Sequence, residues 1–178
     1  MNMSWTRFAA MIATSTAIMF FLMYQLVYSV DHATFSLNRL LSSFIMGAVM
    51  TVVMLAFMWK MYEGPRLKIA VVAVALVAAV GLLAVNRSQA LVGDEAFMNA
   101  MIPHHSIAIN NARRAQISDP RVRELADEII SSQVREIATM KALLRDIEEN
   151  GERGRAPLPA RRAVVTDNML PEIESAVE

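Results

Sequence analysis

The chain has 178 residues, 55% of them hydrophobic, with 17 bases balanced by 17 acids and no cysteine. That length suits one domain with an appendage, and the absent cysteines exclude thiol catalysis and thiolate metal sites. The average conceals two unlike halves: residues 1–85 hold five bases and two acids, whereas residues 86–178 hold 12 and 15, a slight acidic excess that argues against nucleic acid as a partner.

Three uncharged runs fill the first half: Phe8 to Val30 (23 residues), Leu40 to Trp59 (20) and Ile69 to Val85 (17). A hydrocarbon core about 30 Å thick needs roughly 20 apolar residues in a helix. Three transmembrane helices are therefore predicted, the third borrowing Leu67 or Asn86. The first run is longer than a signal-peptide core and lacks a small-x-small cleavage site, so it reads as a retained anchor. Lys60, Arg66 and Lys68 crowd the second connection, while the first holds only Arg39 against Asp31. The bias places the N-terminus and the second connection in the cytoplasm, with Trp5, Trp59 and Tyr62 at that interface. Residues 87–178 then face the periplasm of a bacterial inner membrane. Met46, Met50, Met54, Met58 and Met61 recur along the second span and read as adaptable packing rather than a metal path. His32, in the first connection, reads as solvated.

Beyond the membrane, Gly93-Asp94 signals a helix start with Asp94 as cap, and the pattern runs to about Ile117. Asp119-Pro120 restarts a helix, and Asn150-Gly151 ends it. Its predicted apolar stripe is Leu125, Ile129, Ile130, Val134, Ile137, Met140, Leu144 and Ile147. The fold class is thus all-α: a membrane domain over 1–86, an antiparallel helical hairpin over 87–150, and a tail over 151–178 ending in a short helix. Two helices make a thin core, so a homo-oligomer or support from the membrane domain is expected.

The stretch "FMNAMIPHHSIAINNA", residues 97–112, concentrates the candidate chemistry. Asp94, Met98, Met101 and His105 are four, three and four apart and share a helical face, with His104 beside Met101. Reflection about a turn near residue 118 places Met140 level with Met98, Glu136 with Met101 and Gln133 with His104. Thioethers are soft and imidazole is borderline, a donor set suited to Cu(I) or Ag(I). The candidate ligands are therefore Met98, Met101, His104, His105 and Met140, with copper as the ion and no organic cofactor. Pro103 cannot donate to the Asn99 carbonyl, which predicts a local kink or loosening. The alternative is that the same residues form an ordinary hairpin core or a docking module without metal. No catalytic residue is nominated: a Glu-x-x-His pair of the di-iron type, a Ser/His/Asp order and a phosphate loop are all missing from the sequence.

Phe97, Met101, Pro103, His104, His105, Ala108 and Ile109, followed by Ala126, Ile129, Ile130, Gln133, Glu136, Ile137 and Met140, resemble the domain-of-unknown-function family 305. The resemblance covers about 55 residues. It implies a ferritin-like half-bundle and, by analogy with some members, periplasmic copper binding or resistance. The family commonly has methionine where this chain has Asn111.

Overall fold

The computed structural model describes residues 4–154 and 156–177. Among them all regular structure is helical, and two compact units divide after His104. The first unit contains α1 (Trp5–Leu22), α2 (Leu37–Phe57) and α3 (Pro65–Ser88). Each is long and apolar enough to cross a bilayer, so the chain is a multi-pass membrane protein. Ser4 and Ser36 cap α1 and α2 by accepting from Thr6 N and Arg39 N, and Pro65 opens α3 at a position where its missing N–H costs nothing.

The first span is shorter than its uncharged run. α1 stops at Leu22, turns follow, and a short 3₁₀ segment covers Val30–His32. Polar partners absent from the run itself bend the chain here. Arg39 donates to the Met23 carbonyl and stacks over the Tyr24 ring at 4.3 Å, and Ser36 N donates to Tyr24 Oη at 3.0 Å. α3 is longer than its run because Leu67, Lys68 and Asn86 all lie within the helix.

The membrane unit packs at two levels. Phe8, Leu55 and Tyr62 form a buried cluster joined by Trp5, Met11, Met54 and Met58, so at least three methionines do pack. The Trp5 and Phe8 rings lie 4.9 and 5.3 Å from that of Tyr62. Lys68 Nζ donates to the carbonyls of Trp59 and Tyr62 at 2.9 and 3.1 Å, closing the second connection. Farther along, Gly47 brings α2 against α1: a Cβ there would lie 2.3 Å from Thr16 Oγ1. Small residues permit such approach where apolar lipid provides little drive for helices to associate.

α4 (Asp94–Arg114) is one continuous helix despite Pro103. Its first turns belong to the membrane unit. Its last turns, α5 (Pro120–Asn150) and α6 (Leu170–Ser175) belong to the second unit. Asp119 caps α5, accepting from Arg121 N at 2.9 Å, and α5 has the span expected from sequence. Its inner face does not follow the whole predicted stripe. Ala126, Ile137 and Met140 are buried, whereas Leu125, Ile129 and Val134 are 56%, 37% and 52% exposed. The apolar band is wider than one neighbouring helix covers, and small Ala126 takes the inward position. Arg121 also donates to the Val177 carbonyl at 3.0 Å, tying the short terminal helix region to the start of α5.

Candidate functional site

An α-helix turns about 100° per residue, so adjacent side chains diverge while those three or four apart align. On α4 the buried line is Met98, Ile102, Ser106 and Ile109. His105 borders that line with its side chain 13% exposed; Met101 is half-buried and His104 is exposed. The two histidines therefore meet different surroundings. Met140 is buried on α5.

His105 has a carboxylate partner. Its Nδ1 lies 2.9 Å from Glu136 Oε2, and Ser132 Oγ donates to Glu136 Oε1 at 2.7 Å. Ser132 thus holds the carboxylate, and the carboxylate faces the ring. The contact does not have the geometry of a linear hydrogen bond. Sequence reflection placed Glu136 one helical turn away, level with Met101. The chain reverses through Ala115–Asp119, and this pair sets the centre of reversal near residue 120 rather than 118.

Pro103 is buried and the helix runs through it. The carbonyl that it leaves without a helical donor, Asn99 O, accepts from Thr34 Oγ1 at 2.7 Å. The loosening expected at the proline is thus met by a tie to the α1–α2 connection. His32, expected to be solvated, has its side chain only 14% exposed, with Nε2 3.6 Å from Asp31 Oδ2. The signal sequence reading missed was the adjacent carboxylate, together with a threonine two residues beyond.

Among the described residues, no group of three or more histidine, cysteine, aspartate or glutamate side chains could hold a metal ion. The carboxylate–histidine contacts described above are pairs. Thioethers are the further donors near these rings in sequence. Elsewhere, α1 and α2 flank a groove of about 830 Å³ whose lining contains no titratable group.

The fold and site define a multi-pass membrane protein whose C-terminal helical part carries a His-His/Met motif. Residues 85–171 match the family described as Domain of unknown function (DUF305), and the chain carries a domain of that family there. It is similar to "Uncharacterized protein L153" of Acanthamoeba polyphaga mimivirus, 43% identical over 60 residues, which cover 33% of this chain and 40% of that protein. The chain therefore spans well under two thirds of that relative's length. No solved structure matches.

Proposed function

We propose that this protein is a membrane-anchored binder of a soft metal ion, Cu(I) or the similar Ag(I), serving tolerance or handover on the periplasmic side of a bacterial inner membrane. Met98, Met101, His104, His105 and Met140 are its ligands in this reading. The observation that carries it is His105 Nδ1 set against the Glu136 carboxylate, which Ser132 holds in turn. Carboxylates beside ligating histidines fix the ring and raise its basicity. With Glu136 at Nδ1, the ligating atom would be Nε2. The neighbouring methionines supply neutral sulfur, which needs no deprotonation to bind Cu(I). The exposed Leu125, Ile129 and Val134 support a homo-oligomer in which a second copy covers the outer band of α5. No enzymatic activity is proposed.

The test is Cu(I) titration of the full-length protein in detergent against a chromophoric Cu(I) chelator. His104→Ala combined with His105→Ala should lower affinity at least tenfold, about 1.4 kcal/mol. Unchanged affinity would remove the proposed site. Loss of helicity in the double variant, with no Cu(I) bound by wild type, would favour a purely structural motif.

A further inference from the structure

The groove between α1 and α2 differs at its two ends. Along α1 it runs from Trp5 to Phe21, about 24 Å of helix. Its volume of about 830 Å³ lies in the range of ligand sites. Two of its hydroxyls are spent within their own helix: Ser43 Oγ donates to the Leu40 carbonyl at 2.7 Å and Thr51 Oγ1 to the Gly47 carbonyl at 2.9 Å. At one end lie Phe20, Phe21, Leu40 and Phe44, and the base beside Leu40 is occupied, since Arg39 donates to the Met23 carbonyl and stacks over Tyr24. At the other end lie Trp5 and Leu67. The second connection meets the groove there, because the Trp5 and Tyr62 rings pack 4.9 Å apart. Of that connection's three bases, Lys68 turns inward, bonded to the Trp59 and Tyr62 carbonyls and 4.6 Å from the centre of the Trp59 ring. Lys60 and Arg66 are exposed, and among the described residues neither pairs with a carboxylate. Arg66 immediately precedes Leu67 in α3.

We propose that this groove holds an acyl chain of an anionic phospholipid, with the headgroup phosphate against Lys60 and Arg66. Charge complementarity selects the occupant. An apolar groove alone suits any hydrocarbon, a second copy's helix included. Uncompensated cations at one end call for a ligand that is apolar along its length and anionic at its tip. Lysine and arginine lay their methylene stems on apolar surface and keep their charged heads at the interface, the depth of a lipid phosphate. Trp5 suits the same depth. Arg7, the remaining base at this end, is nine residues from Thr16, about two and a half turns, and so faces away from the groove. It attracts acidic lipid in general without holding this one.

The experiment offers the full-length protein in detergent equal amounts of phosphatidylglycerol and phosphatidylcholine and counts the retained lipid by native mass spectrometry. Wild type should retain about fivefold more phosphatidylglycerol. Lys60→Gln with Arg66→Gln should bring the two lipids level. Ala13→Leu, which fills the groove without touching a charge, should lower retention of both lipids. Ala17→Leu, one turn on, gives the same reading should Ala13→Leu fail to fold. Arg7→Gln should keep its selectivity within about twofold of wild type. Equal retention of the two lipids by wild type would overturn the proposal. So would equal loss of selectivity in Arg7→Gln and the double variant, which marks diffuse charge attraction. Undiminished retention in both groove variants would put the lipid elsewhere and overturn it too. A dimer that the groove variants dissociate, with no lipid bound, would make a second copy the occupant instead.

Discussion

His104 and His105 are adjacent in sequence but about 100° apart around α4, and their surroundings differ accordingly. His105 faces Glu136 at 2.9 Å; His104 is exposed. If Cu(I) is the cargo, Glu136→Gln should weaken its binding by about tenfold while leaving helical content unchanged, because the amide keeps the shape and loses the charge that orients the ring. Chelator competition and circular dichroism on the same sample measure both; a fall in thermal stability with intact affinity would mark Glu136 as a structural latch alone. The helix that carries these histidines and methionines was legible because its spacing is a local property of the sequence. Its partner was not. Register across a hairpin depends on where the reversal is centred, and moving that centre by two residues moves the facing position by four, about a full turn. The 14% exposure of the His32 side chain was not legible either, since nothing in the sequence of that connection announces burial.

At the scale of elements, the start of α5 makes stability depend on pH. The Arg121 guanidinium holds the Asp119 carboxyl below the usual carboxylate range, with Arg121 and Val122 backbone N–H groups adding to the effect. A lowered folded pKa means that the charged cap favours the folded state above the ordinary carboxylate range and that this contribution fades as pH falls through the folded value. Amide protection in the first turn of α5, taken relative to the intrinsic exchange rate at each pH, should therefore fall on acidification, and Asp119→Ala should show the lower protection already at neutral pH. A different element contact tests the membrane unit. Gly47→Ala should destabilise the α1–α2 packing by about 1–3 kcal/mol through overpacking, read by unfolding in detergent. Adding Thr16→Ala should recover most of that loss, since Thr16 Oγ1 is the atom in the way. The boundaries of α5 were legible from Asp119-Pro120 and Asn150-Gly151, which act locally. The end of α1 was not, because an uncharged run looks continuous until Tyr24 and Arg39 show where polar partners bend it.

For the whole molecule, three apolar helices imply an odd number of crossings, so the two sides can be told apart by reporters. A periplasmic reporter fused after Glu178 should be active and one inserted at Gly64 silent, as the bases Lys60, Arg66 and Lys68 require; the reverse pattern would invert the proposed orientation. The uncharged runs made this architecture legible, while the division after His104 was not, since nothing in residues 94–104 announces that they pack with the preceding helices. That packing bears on portability. A secreted fragment beginning at residue 87 would keep the whole recognisable motif yet lose the threonine that occupies the Asn99 carbonyl. Water could take its place, but water would not fix the helix to anything. The sequence motif is therefore a smaller unit than the working one, and grafting it onto another anchor transfers the helix without the strap that steadies it. A transplant that carries residues 29–36 along should behave like the parent; one that carries the motif alone should not.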